Sequence, residues 1–119
     1  MYTYSFEKLE VWQNARGLVK DIYKITRTFP AEERFGITNQ IRRATTSITA
    51  NIAEGMYRNT TKEKLRFINI SYSTSIEVIN FLILSFDLEF IPEEKYIELR
   101  EKAEKITNQL NGLYHSLNT

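Results

Sequence analysis

Arg34–Arg58 reads RFGITNQIRRATTSITANIAEGMYR. Within it Ile37, Ile41, Ala44, Ile48 and Ile52 recur at spacings of three and four. That repeat stacks side chains on one face of an α-helix. Beside it run Gln40, Arg43, Ser47, Asn51, Glu54 and Arg58 at the same spacings. A helix with an apolar stripe and an unbroken polar stripe next to it packs one face inward and offers a second, ordered face. That face has two readings. As structure, Gln40, Arg43, Ser47, Asn51 and Glu54 form a polar network that fixes helix register or subunit geometry, because a buried arginine and glutamate must be paired. As function, the stripe contacts a ligand or phosphate, with Arg42, Arg43 and Arg58 as donors.

Outward from this helix, the pattern stays helical. Ser5 to about Thr28 carries one apolar line, Leu9, Trp12, Ala15, Val19, Ile22, Thr26 and Phe29, and a second of Val11, Leu18 and Ile25. Ser5 is the expected N-cap, with Glu7 suited to the positive helix end. Pro30 stops this helix, and Pro30-Ala31-Glu32-Glu33 starts the next, with Gly36 setting a first turn apart. Gly55 is expected to serve the C-terminal turn of helix two. Thr60 and Glu63 have capping-box spacing and open helix three, expected from Thr61 to Leu88. Its core line reads Leu65, Ile68, Tyr72, Ile76, Ile79, Ile83 and Phe86, while Phe67, Val78, Phe81, Leu82, Leu84 and Leu88 point elsewhere. A helix this apolar all round is buried on more than one side, and the second side is expected to meet another subunit. Ser71 and Ser75 let two helices approach closely. After Ile91-Pro92-Glu93-Glu94, helix four holds Tyr96, Leu99, Ala103, Ile106, Leu110, Leu113 and Leu117, with Gly112 as its weak spot. Four helices of about 23–28 residues, each about 35–42 Å long and joined by short turns, predict one all-α domain over residues 1–119. The expected architecture is an antiparallel up-down-up-down four-helix bundle that forms a homo-oligomer.

Composition bounds the function. With 119 residues, 42% of them hydrophobic and 26% charged, the chain is one globular domain. The net charge is +1, but it is unevenly spread. Arg34–Arg66 holds seven basic residues (Arg34, Arg42, Arg43, Arg58, Lys62, Lys64, Arg66) against Glu54 and Glu63; Phe67–Thr119 holds four basic and eight acidic. The two regions either attract each other within the bundle or between subunits, or the basic one forms a local anion site. There is no cysteine, which excludes disulfides, zinc–thiolate sites and thiol catalysis. The lone histidine, His115, has no carboxylate at ligand spacing on its helix. Paired Glu-x-x-His motifs are lacking, so no metal is expected. No histidine stands in position to activate Ser47, Ser71, Ser73 or Ser75, and no glycine-rich loop follows a strand. The reading is a non-enzymatic protein without cofactors. The start of the chain lacks a signal-peptide pattern, and Ile76–Ile91 carries Glu77, Asn80, Asp87 and Glu89, so a cytoplasmic protein without membrane contact is expected.

The words VWQNA (Val11–Ala15), IYKIT followed by FP (Ile22–Pro30), QIRRA (Gln40–Ala44) and SITANIAEG (Ser47–Gly55), with Phe67, Glu77 and Leu82 in matching places, carry a resemblance. The chain resembles the bacterial four-helix-bundle proteins first noticed as reading frames inside intervening sequences of 23S ribosomal RNA genes. Thr49 stands where that family has proline, Tyr57 where a second glycine is common, and Ser73-Thr74 where Gly-Ser is usual. The resemblance implies a ring-like homopentamer. It also takes in the accessory proteins of diversity-generating retroelements, which bind nucleic acid and a reverse transcriptase through a basic surface. The functional expectation is an oligomeric accessory factor that binds RNA or DNA through Arg42, Arg43, Arg58, Lys62 and Lys64. The alternative is an oligomeric scaffold for a protein partner.

Overall fold

A computed structural model describes Met1–Thr119. It holds four α-helices and no strand: α1 (Glu10–Thr26), α2 (Ile37–Met56), α3 (Thr61–Asp87) and α4 (Glu93–Leu117), preceded and interrupted by single 3-10 turns at Ser5–Lys8 and Ala31–Glu33. The helices pack as one bundle, 43 × 30 × 21 Å. Each helix packs on its sequence neighbours, and α1 closes the bundle against α4.

α1 is shorter than its periodicity predicts. Ser5 does not cap it. Its backbone N–H and hydroxyl are both directed to the Tyr57 hydroxyl, at 3.1 and 3.4 Å. Leu9 is extended (φ −73°, ψ 126°) and breaks the helix from the turn before it. The break is held by local contacts across it: Phe6 folds onto Trp12, ring centroids 5.1 Å apart, and the Gln13 amide donates to the Glu7 carbonyl at 2.9 Å. The Pro30 start behaves as expected. Ala31–Glu33 forms a separate turn, and α2 begins after Gly36, with the Glu33 carboxylate accepting from the Ile37 N–H at 3.3 Å. Thr60 caps α3 by accepting from the Glu63 N–H at 3.1 Å.

The apolar line of α2 is wholly buried: Ile37, Ile41, Ala44, Ile48 and Ile52. So is the centre of α4's heptad, Leu99, Ala103, Ile106 and Leu110. α3 departs from its expected core line. Its buried residues are Phe67, Ile68, Ser71, Ser75, Val78, Leu82 and Ser85, while Ile76, placed in the core by periodicity, is 47% exposed. The buried line is turned by about one residue from the expected one. Ile68 stays buried, and Tyr72, Ile79 and Phe86 pack at its edge. Three serines take its centre together with Phe67, Val78 and Leu82, which were expected to point elsewhere. Ser71 donates to the Ile48 carbonyl on α2 at 3.0 Å, Ser75 and Thr107 on α4 share a hydrogen bond of 2.9 Å, and Ser85 donates to the Phe81 carbonyl at 2.7 Å. A buried hydroxyl with its bond made carries little penalty, and its small volume brings helices close. Hydrophobicity alone therefore sets the inner face of α3 about a quarter turn off. The far side keeps Ile70, Ile76, Leu84 and Leu88 exposed.

Gly55 also differs from its expected role. No glycine has a positive φ, and Gly55 lies inside α2. A β-carbon there would stand 2.9 Å from the Phe67 Cβ and 3.3 Å from the Ile68 Cδ1. The glycine of the SITANIAEG word is where α2 and α3 touch. By length and composition α3 is the one helix able to cross a bilayer; in this fold it is the central helix, packed along both α2 and α4.

Candidate nucleic-acid interface

The five expected basic residues do not share one face. Arg42 is engaged inside the bundle surface. Its Nε donates to the Thr26 hydroxyl at 2.8 Å, Nη2 reaches the Tyr23 carbonyl at 3.4 Å, and the guanidinium lies 4.6 Å from the Tyr23 ring centre. This ties α2 to α1. A planar guanidinium does both jobs at once, stacking and donating. Arg42 is thus a helix-joining residue rather than a free phosphate donor.

Arg43 is exposed in a groove of about 340 Å³ between α2 and α3, lined with Gln40, Ser47, Thr74 and Glu77 among others. The expected polar network is not closed within one chain. Asn51 Nδ2 donates to the Ser47 carbonyl and hydroxyl at 2.9 and 3.0 Å. Glu54 pairs with Arg58, one turn on, at 3.9 Å, and both are substantially exposed. Gln40 and Arg43 stand open on the same stripe. The spacing correctly put the five residues in line. Spacing says nothing of depth, and in one subunit the line lies at the surface. Glu77, across the groove, belongs to this polar site; in the sequence it stood out as a residue of the family resemblance, with no site role attached.

Arg58, Lys62 and Lys64 come together at the α2–α3 turn, and Arg66 joins them. Lys64 donates to the Met56 carbonyl at 2.9 Å and so closes the end of α2. A cation at the negative end of a helix is well placed. Arg58 and Arg66 both lie over the Phe67 ring, 4.2 and 4.7 Å from its centre. Arg66 also pairs with Glu63 at 3.1 Å. Lys62 has no carboxylate partner and lines, with Arg66 and Tyr114, a groove of about 470 Å³ between the start of α3 and the end of α4. None of these cations pairs with the acidic α4. Two acids of that helix are held on α4 itself, Glu98 by Lys95 and Lys102 and Glu104 by Arg100. The helix in turn reaches α1 through Lys102–Asp21 at 2.7 Å and Lys105–Glu10 at 3.8 Å.

The titratable groups with altered proton affinity all lie on α4. The Lys102 ammonium is pushed up chiefly by its hydrogen bond to Asp21, with Glu98 adding to it. The Glu98 carboxyl is held down by its hydrogen bonds to Lys95 and Lys102. Arg100 is raised by its bond to the Tyr96 hydroxyl. No three His, Asp or Glu residues stand close enough to share a metal ion. His115 is exposed, its ring 5.7 Å from Tyr114.

Fold and site together define a small all-helical bundle with a basic, aromatic-edged end. The chain belongs to the 23S rRNA-intervening sequence protein family, whose model matches residues 7–112. Its fold is similar to that of a protein of unknown function from the S23 ribosomal protein family of Bacteroides thetaiotaomicron, with TM-score 0.79 and 24% identity over 87% of this chain and 97% of that one. No curated protein matches the chain.

Proposed function

We propose that this chain is a non-enzymatic, cytoplasmic, homo-oligomeric helical protein that binds RNA or DNA through the α2–α3 end. The observation that carries the reading is the gathering of Arg58, Lys62, Lys64 and Arg66 at one turn, away from the acids of α4. Such a cluster recognises phosphate by charge, with little sequence preference. Arg43 extends it along the α2–α3 groove; Arg42 is left to its structural role.

Cross-helix pairs support an antiparallel, up-down-up-down course. Gly55 meets Phe67 and Ile48 meets Ser71; Asn14 bonds Gln109 and Asp21 bonds Lys102. In each pair, a later residue on one helix meets an earlier residue on the other. Assembly is supported by the outward apolar residues of α3, Ile70, Ile76, Leu84 and Leu88, which one chain leaves uncovered. The resemblance favours a pentamer, in which the basic end is repeated around an axis and acts multivalently. A reverse transcriptase is the protein partner that the resemblance suggests. A second reading, a scaffold for a protein partner, is favoured by Phe35, 85% exposed at the α1–α2 turn. The test is titration of a structured RNA and a duplex DNA with the native protein and with Arg58→Glu/Lys62→Glu. Loss of binding in the variant, with fold and oligomer intact, is expected. No binding by the native protein at low salt would leave the scaffold reading.

A further inference from the structure

Tyr2, Tyr4, Phe6, Trp12 and Tyr57 form one connected group of rings at the α2–α3 end. Tyr2 and Tyr4 meet edge to face at 4.9 Å, Tyr4 lies 6.0 Å from Phe6 and 5.9 Å from Tyr57, and Phe6 lies 5.1 Å from Trp12. The inner members, Phe6 and Trp12, are half-buried and anchor the group. The outer members are open: Tyr2 is 73% exposed, Tyr4 49% and Tyr57 51%. The Tyr57 hydroxyl accepts from the Ser5 N–H, and Glu7 accepts from the Tyr4 N–H at 2.7 Å, so the rings sit on a backbone that is held. Arginines stand at both ends of the group. Arg16 lies 5.4 Å from the Trp12 ring centre and has no carboxylate partner. Arg58 follows Tyr57 directly, and its pair with Glu54 is loose at 3.9 Å.

Exposed rings bordered by cations match the chemistry of unstacked bases joined by phosphates. Each base has a π-face to lay on a tyrosine, whereas a duplex hides those faces. A purely electrostatic site would favour the more densely charged duplex, so a preference for the single strand needs the rings. Resting on the nucleic-acid reading above, we propose that the protein prefers single-stranded nucleic acid, with bases stacked on Tyr2, Tyr4 and Tyr57 and phosphates held by Arg16 and Arg58.

The experiment compares a pyrimidine-rich single-stranded oligonucleotide with a duplex of the same length, by fluorescence anisotropy at fixed salt. Native protein, Tyr2→Ala/Tyr4→Ala, Tyr2→Phe/Tyr4→Phe and Arg58→Glu/Lys62→Glu are titrated in parallel. The native protein is expected to favour the single strand. The alanine pair should lose roughly tenfold or more on the single strand and little on the duplex. The phenylalanine pair should bind as the native protein does, since it keeps the π-faces. Circular dichroism and mass by light scattering show whether each variant is folded and assembled; Tyr2→Ala alone serves if the pair is not. Equal affinity for both strands or a preference for the duplex, with the alanine pair unchanged and the charge-reversed pair weakened, would overturn the stacking proposal and leave the electrostatic reading standing. No binding of either strand by the native protein overturns both.

Discussion

Replacing Gly55 with alanine places a methyl group between α2 and α3, where Gly55 faces Phe67 and Ile68. The added carbon would sit 2.9 Å from the Phe67 Cβ, 3.3 Å from the Ile68 Cδ1 and 3.5 Å from the Lys64 carbonyl oxygen. Phe67 Cβ is fixed to its backbone and cannot swing aside, so the helices themselves must separate. Overpacking of this kind costs about 1–3 kcal/mol. Against it stands the helical preference of alanine over glycine, about 0.8–1 kcal/mol. Gly112→Ala isolates that second term, because Gly112 lies in α4 with nothing within 4 Å of its added carbon. Gly112→Ala should therefore stabilise by about 1 kcal/mol. Gly55→Ala should destabilise by about 1 kcal/mol after the offset, so the two variants differ by about 1–3 kcal/mol, the cost of the contact itself. Urea unfolding at one fixed protein concentration measures the difference as a separation of midpoints, on the order of 1 M for a small domain. If both substitutions stabilise equally, α2 and α3 are not in contact at Gly55, and the packing argument fails.

Glu89 has φ 64°, the left-handed conformation, where the chain leaves α3. The Phe90 N–H bonds the Ser85 carbonyl and the Glu89 N–H bonds the Phe86 carbonyl, both at 2.9 Å, which is the helix-ending motif that favours glycine. Glu89→Gly should raise stability by about 0.5–1 kcal/mol in the same urea assay. Arg42→Ala should lower stability by about 1 kcal/mol through lost bonds to Thr26 and Tyr23, while leaving nucleic-acid affinity within about twofold of native. The pH dependence follows from the ion pairs of α4. Stabilisation from the raised Lys102 is complete below the ordinary lysine value of 10.5 and is lost as pH rises through the raised value. Stabilisation from the lowered Glu98 is complete above the ordinary 4.5 and is lost as pH falls through the lowered value. The contribution of these contacts to urea midpoints should thus stay flat between those limits; removing Asp21 and Glu98 charges together (Asp21→Asn/Glu98→Gln) should flatten the fall at either extreme.

Helix number and punctuation were legible because they rest on local chemistry: Pro30 and Pro92 as starts, Thr60 with Glu63 as a cap, and three-four spacing on α2 and α4. The inner face of α3 was not. Ser71 and Ser75 read correctly as points of close helix approach, but a hydrophobicity pattern counts no serine towards the core line and so set that line off the buried one. The extended Leu9 was equally hidden. The turn before it is held by the Phe6–Trp12 contact and by the Tyr57 hydroxyl, fifty-two residues from Ser5, and the second contact is one that no local pattern encodes. Tyr57 itself stood out in the sequence as a departure from the resembling family's second glycine, but nothing there paired it with Ser5. At the candidate site, charge distribution located the basic turn, but it could not separate Arg42, already engaged by Tyr23 and Thr26, from Arg58 and Lys62. One residue of sequence separates Arg42 from Arg43, and about 100° of helix rotation puts them against different helices.

The salt dependence of nucleic-acid affinity tests the central claim most directly. Log affinity against log salt concentration should fall linearly and steeply, because each phosphate neutralised by Arg58, Lys62, Lys64 or Arg66 releases bound counterions, at a slope of about −0.9 per contact on duplex DNA. Arg58→Glu/Lys62→Glu should give a weaker and flatter line. A native protein that binds no nucleic acid at low salt, or whose affinity and slope are indifferent to the two substitutions, would contradict the claim that this end of the bundle is a nucleic-acid interface.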